Sequence, residues 1–309
     1  MQPSLEIRLG KLELANPVLV ASGTFGYGVE YSELLDVSRL GAVITKTITL
    51  APREGNPTPR VAETASGMLN SIGLENPGAE VFIEAVLPSV AELGPPVIVN
   101  IAGDRPEDYV ELAGRLSDEA AVSALELNVS CPNVKVGGMA FGADAAATGE
   151  LVSAVRAATE KPLVVKLTPN VTDITPIARA AESAGADALS LTNTLLGMAV
   201  DVETRRPKLG AVTGGLSGPA IMPVSLRMVW QTARAVEIPV VGLGGITTWE
   251  DAAVFLIAGA TAVQVGTANF VDPAASVKVL EGLAAYIGEH GIGSVGELTG
   301  SLELPAGYD

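Results

Sequence analysis

Short apolar runs bounded by Gly, Pro or a polar turn recur along the chain, with little polar alternation inside them. A hairpin pattern, LEIRLGKLEL, occupies 5–14. After it come PVLVASG (17–23), GAVITKT (41–47), PVIVNIAG (96–103), ALELNVSC (124–131), PLVVKLT (162–168), ADALSLTNT (186–194), IPVVGLGG (238–245) and AVQVGT (262–267). Runs of this length without a wet face are what parallel strands covered on both sides require. Between them, EDYVELAGRLSD (107–118), TGELVSAVRAATE (148–160), ITPIARAAESAG (174–185), LRMVWQTARAV (226–236) and TWEDAAVFLIAG (248–259) set apolar residues three and four apart, the spacing of a helix with one buried face. Several end at glycine, a common helix stop. Strand then helix, eight times, predicts a single-domain α/β protein over 1–309, a (β/α)8 TIM barrel with an N-terminal hairpin. A doubly wound open sheet is the competing arrangement. It lacks its signature, because no strand is followed by a GxGxxG turn with an acidic residue about 20 positions on. Two connections, 48–95 and 195–225, are too long to be simple turns. Long loops in compact domains are usually functional, and in this fold the βα loops cover the C-terminal, active-site face.

Charge narrows the partners. Nineteen Lys and Arg against 35 Asp and Glu leave a net charge of −16, which repels nucleic acid and anionic lipid. No apolar run reaches the length of a membrane span. The first ten residues, MQPSLEIRLG, have neither a basic nor an apolar region, so no secretory signal is expected there. One cysteine excludes an internal disulfide and any cysteine-held metal or iron–sulfur cluster, and it fits a cytoplasmic setting. No metal site is expected. The one histidine, His290 in GEHGIG, reads as a surface or helix-end residue, so an acid–base enzyme built on this chain needs another base.

Candidate chemistry gathers where the strands end. In order, those ends carry Ser22, Lys46 and Thr47, Asn100, Asn128 through Cys131 to Asn133, Lys166, Thr192 to Thr194, Gly244 and Gly245, and Gly266 and Thr267. Each alone has a plain structural explanation. A lysine can close an ion pair, and an asparagine can cap a loop. Together on one face they suit a polar, planar ligand, because burying a lysine is costly unless it is paired or bound to an anion. Glycines after strands seven and eight let backbone N–H groups approach a phosphate, which implies a phosphorylated cofactor or substrate. A lone cysteine is ordinarily a small buried hydrophobe. Cys131, however, stands before Pro132 and the glycine-rich GGMAFG, a lid-like segment. In a chain so short of histidine, its thiol is a candidate base.

NVSCPN, NSIGLENPG (70–78), ASGTFG (21–26), GGLSGPAI (214–221) and the paired GG…GT together resemble the dihydroorotate dehydrogenases, over nearly the whole chain. The resemblance implies an FMN-containing barrel that oxidises dihydroorotate to orotate in pyrimidine biosynthesis. Cysteine rather than serine at 131, and the short stretch before the hairpin, resemble class 1. CPNVKVGGMAFG and DVETRRPKLGAVTGGLSGPAI resemble its 1B branch. That branch implies a homodimer of barrels joined by an electron-transfer subunit carrying FAD and a [2Fe–2S] cluster, with NAD as the final acceptor. By resemblance, Ser22, Lys46, Thr47, Asn100, Asn128, Lys166, Thr192, Gly218, Gly244, Gly245, Gly266 and Thr267 contact FMN. Lys46, Asn70, Ser71, Ile72, Gly73, Leu74, Asn128, Asn133, Asn193 and Thr194 hold the pyrimidine, and Cys131 is the base. Three rivals stay open: a fumarate-reducing class 1A enzyme, a lysine-dependent aldolase- or isomerase-type barrel, and a non-catalytic barrel acting as a scaffold.

Overall fold

The computed structural model describes residues 4–130, 135–136 and 139–307. Eight parallel strands close into a barrel: β1 (Val18–Val20), β2 (Ala42–Ile44), β3 (Val97–Ile101), β4 (Val122–Asn128), β5 (Leu163–Lys166), β6 (Ala188–Leu191), β7 (Val240–Leu243) and β8 (Ala262–Val265). Each pairs with its neighbours in chain order, and β8 returns to β1 through Val263↔Val18 and Val265↔Val20. Both faces of nearly every strand are buried, one by the barrel interior and one by the helices outside. That is why the runs read as continuously apolar.

The hairpin pattern forms strands Ile7–Leu9 and Leu12–Leu14 about Gly10. Gly10 packs against Asp187, just before β6, so the hairpin sits at the N-terminal end of the barrel. The expected helices are present as Pro106–Ser117, Ala145–Ala158, Thr175–Ser183, Met222–Ala233 and Trp249–Ile257. Their buried residues recur three or four apart, as Tyr109, Leu112, Ala113 and Leu116 do. Trp249–Ile257 opens with a capping box, in which Thr248 and Asp251 satisfy each other's backbone N–H groups.

The eightfold strand–helix alternation needs one correction. After β1 the chain makes only two short 3-10 turns, Val29–Tyr31 and Val37–Arg39, with Gly28 at φ 94° opening the first. A helix not singled out by pattern, Ala275–Glu289, follows β8, and His290 caps it with Nδ1 2.9 Å from the Tyr286 carbonyl oxygen. Among the described residues, no helix is long and apolar enough to cross a membrane.

Both long connections are structured. Residues 79–91 are helical, with a π-helical middle at Phe82–Val86. Pro88 stands two residues beyond, and its missing N–H interrupts the regular ladder. The rest of the two loops builds an antiparallel sheet at the C-terminal end of the barrel, in the order Leu195–Met198, Thr213–Ser217, Gly67–Asn70, Val61–Thr64.

Candidate active site

Lys166 ends β5 in register with Asn128 and Ser190, at the C-terminal mouth. It is 3% exposed. Its Nζ donates to Ser22 Oγ at 3.0 Å and lies 3.7 Å from Glu126 Oε2. The plain reading of this lysine as an ion pair is therefore also satisfied, by an acid that the strand-end pattern does not include. Asn100 Nδ2 donates to the same Oε2 at 2.6 Å. Ser190 Oγ and Gln264 Nε2 each donate to Oε1 at 2.8 Å. Glu126, Ser190 and Gln264 are absent from the sequence-derived set. The readable signal for Glu126 was a lone acid in an apolar run, two residues before Asn128 and so on the same side of the strand.

A second group forms around Asn128. Its backbone carbonyl accepts from the buried Tyr109 hydroxyl at 3.0 Å, which ties the strand end to the helix behind it. Its Oδ1 accepts from Ser130 N at 3.1 Å and from Asn193 Nδ2 at 3.4 Å. Asn193 Oδ1 in turn accepts from Thr194 N at 2.8 Å. The inserted sheet delivers Asn70 to this group: Asn70 Nδ2 donates to the Gly215 carbonyl at 3.3 Å, and a Cβ on Gly215 would stand 2.0 Å from Thr194 Oγ1. Gly73 and Leu74 both take left-handed backbone, φ 78° and 56°, and turn the segment after Ser71 and Ile72. Asn76 secures that turn, donating to Thr49 Oγ1 and the Leu74 carbonyl and accepting from the backbone N–H groups of Thr49 and Gly78. Close by, burial and then the Glu30 and Glu75 carboxylates push the Tyr27 hydroxyl up to about 12.

The glycines form the third group. Gly218, Gly244 and Gly245 all have positive φ. A Cβ on Gly245 would lie 2.9 Å from the Gly218 carbonyl oxygen, and one on Gly244 would lie 2.2 Å from Ser225 Oγ, which hydrogen-bonds Thr192 Oγ1 at 2.6 Å. Thr267 Oγ1 donates to Ser217 Oγ at 2.8 Å. The turns after β6, β7 and β8 thus pack closely against one another.

Lys46 is half-buried and Thr47 buried, and among the described residues nothing hydrogen-bonds or ion-pairs with the Lys46 ammonium. Cys131 and Asn133 lie outside the described residues. On either side of them the chain is clamped: Gly142 N donates to the Val129 carbonyl at 2.9 Å, and a Cβ on Gly142 would stand 2.7 Å from that oxygen. Within the segment, Lys135–Val136 pairs with Met139–Ala140.

These residues fit a flavin nucleotide on two counts. Among the described residues, Asn100 Oδ1, Gln264 Oε1 and Ser71 Oγ are buried without a hydrogen-bond partner, as groups awaiting a polar ligand would be. At the turn after β8, a Cβ on Gly266 would meet nothing closer than Ala21 Cβ at 3.4 Å, so this backbone is open to a phosphate.

The family profile described as "Dihydroorotate dehydrogenase" matches residues 4–287. The chain is 56% identical to a protein of Bacteroides thetaiotaomicron over 97% of its own length and 99% of that protein's. It is 55% identical to one of Pelobacter propionicus, over 98% and 100% of the two chains. It is also 55% identical to one of Geotalea uraniireducens, over 97% and 99%. All three relatives carry the name "Dihydroorotate dehydrogenase B (NAD(+)), catalytic subunit".

Proposed function

The chain belongs to the dihydroorotate dehydrogenase family, and from that premise we propose that it is the catalytic subunit that oxidises dihydroorotate to orotate in pyrimidine biosynthesis, with electrons leaving through a partner subunit to NAD. The observation that carries the reading is the meeting of Ser22, Asn100, Asn128, Lys166 and Asn193, from five separate strand ends, in linked polar contacts at one end of the barrel.

FMN, when bound, supplies the acceptor for the hydride that leaves C6 of the substrate. Ser22, Lys46, Thr47, Asn100, Asn128, Lys166, Thr192 and Gly218 would hold it, with Gly244, Gly245, Gly266 and Thr267 around its phosphate. The Lys166 ammonium, kept in place by Ser22 and Glu126, offsets negative charge at the cofactor. Asn70, Ser71 to Leu74, Asn128, Asn133, Asn193 and Thr194 would hold the pyrimidine. Their amides and hydroxyls match ring donors and acceptors without adding charge. Lys46, unpaired among the described residues, meets the substrate carboxylate. Cys131 Sγ takes the C5 proton as a thiolate.

Passing the electrons to NAD needs a second polypeptide bearing FAD and a [2Fe–2S] cluster, because one cysteine cannot hold such a cluster. Two barrels would pair in a heterotetramer. Leu196, Met198, Val200 and Val202, on and beside the inserted sheet, are exposed apolar side chains, which is compatible with such an assembly. A cytoplasmic setting completes the reading. The fumarate-linked and lysine-based readings gain nothing from the names of the relatives.

The test is direct. The purified protein should be yellow and bleach when dihydroorotate is added without oxygen. It should turn over with artificial dyes and reduce NAD only when the electron-transfer subunit is added. Cys131→Ala should keep FMN and orotate binding while flavin reduction slows on the order of 10²–10⁴-fold, the usual contribution of a positioned base. Near-normal reduction in that variant would remove Cys131 from the role, and rapid turnover with fumarate would replace the NAD-linked assignment.

A further inference from the structure

Glu126 is fully buried, and its partners come from all round the barrel: Asn100 on β3, Lys166 on β5, Ser190 on β6 and Gln264 on β8. Strands β6 and β8 do not neighbour β4, so the carboxylate must point into the barrel interior. Three hydrogen-bond donors and an ammonium converge on its two oxygens, an arrangement suited to a group that only accepts. A buried ion pair is weak support for stability, since apolar side chains of similar volume usually do as well. The cluster therefore calls for another reason.

Its effect on the neighbouring amides supplies one. A carboxylate compels Asn100 and Gln264 to turn their NH2 groups toward it. Their carbonyl oxygens, Asn100 Oδ1 and Gln264 Oε1, are then left buried without a partner among the described residues. Leaving such acceptors unmet is costly unless a ligand meets them. The same carboxylate faces the Lys166 ammonium and so offsets part of its charge.

We propose that Glu126 is the positioning residue of the cofactor site. It fixes the amides of Asn100 and Gln264 as acceptors for the flavin and tempers the charge of Lys166, and so sets the balance between oxidised and reduced flavin. The proposal rests on the FMN reading above and extends it to residues that do not themselves react.

Glu126→Gln keeps the size and removes the charge. The introduced amide must donate through one arm, so one neighbouring amide loses its orientation and Lys166 loses its counter-charge. In the holoenzyme, oxidised FMN should bind about tenfold more weakly, the scale of one lost hydrogen bond to a charged or oriented partner. Reduced FMN should gain about tenfold relative to oxidised, a midpoint potential raised by about 30 mV for a two-electron couple. A purely structural role would not move the potential in that direction. The upward shift should vanish when Glu126→Gln is made together with Lys166→Met, compared with Lys166→Met alone, while the weaker binding of oxidised FMN remains.

If the single variant does not fold, the charge-neutral double variant carries the test, and oxidised-FMN binding equal to that of Lys166→Met overturns the proposal. Independently of any variant, reducing the wild-type flavin should shift a buried carboxylate stretch in the infrared difference spectrum, and its absence counts against Glu126. Wild-type potential and FMN affinity in Glu126→Gln would overturn the proposal and leave the FMN reading standing. A wild-type protein that binds no FMN would overturn that reading first.

Discussion

The phosphate cradle can be tested by two glycines that look alike in sequence and differ in structure. At Gly266, an added Cβ would meet nothing closer than Ala21 Cβ at 3.4 Å, and φ is not in the left-handed region. Gly266→Ala should therefore leave the apoprotein as stable as wild type, or more stable by up to about 1 kcal/mol through the stiffer unfolded chain. If a phosphate approaches this backbone, however, the methyl lies in its way. Losing one charge-assisted hydrogen bond is worth about 1.5–3 kcal/mol, or about ten- to hundredfold in the FMN Kd. Gly245 has φ 84°, and a Cβ there would stand 2.7 Å from Met222 Cβ and 2.9 Å from the Gly218 carbonyl oxygen. Left-handed backbone costs a non-glycine residue about 1–2 kcal/mol, and the overlap adds about 1–3 kcal/mol, so Gly245→Ala should destabilise the fold itself by about 2–5 kcal/mol. Urea unfolding of the apoproteins, with FMN titration followed by flavin fluorescence quenching, separates the two effects. Wild-type FMN affinity in Gly266→Ala would refute the phosphate placement. Equal apoprotein destabilisation in both variants would refute the packing argument.

Two further outcomes follow from the loops. Asn76→Ala removes four hydrogen bonds that hold the 70–78 turn to the segment after β2. It should cost about 2–4 kcal/mol in chemical denaturation, since buried polar groups lose their partners, and raise the KM for dihydroorotate more than it lowers kcat; an unchanged KM would detach this turn from the substrate. Tyr27 keeps its proton to about 12 in the folded protein, against 10.0 unperturbed. The unfolded chain thus ionises first, and stability should fall as the pH rises from about 10 towards 12, with no contribution below that window. Tyr27→Phe should flatten that decline, as followed by urea midpoints across the alkaline range. It also removes a buried hydroxyl that lacks a partner among the described residues.

The strands were legible because a parallel barrel buries both faces of each one, which leaves runs such as PVIVNIAG with no polar alternation to misread. The strand ends were legible for the complementary reason: Lys166, Asn100 and Asn128 are polar residues in places where burial is costly, so they stand out from the apolar runs they close. Local patterning also carried the hairpin and the five amphipathic helices. The eightfold alternation, rather than any local pattern, misled after β1, where the glycines at 26 and 28 take left-handed backbone and the chain makes 3-10 turns in place of a helix. Local patterning did not reveal the inserted sheet. The partners Asn70, Gly215 and Thr194 come from two loops, and only antiparallel pairing of 67–70 with 213–217 brings them together. Least legible of all was the Glu126 cluster. Ser190 lies 64 residues from Glu126 in sequence and Gln264 lies 138. One acid, one serine and one glutamine in three separate apolar runs carry no mutual signal along the chain. Closing the barrel turns all three side chains into one small interior. There the exclusion of water makes each of them depend on the others for hydrogen bonds.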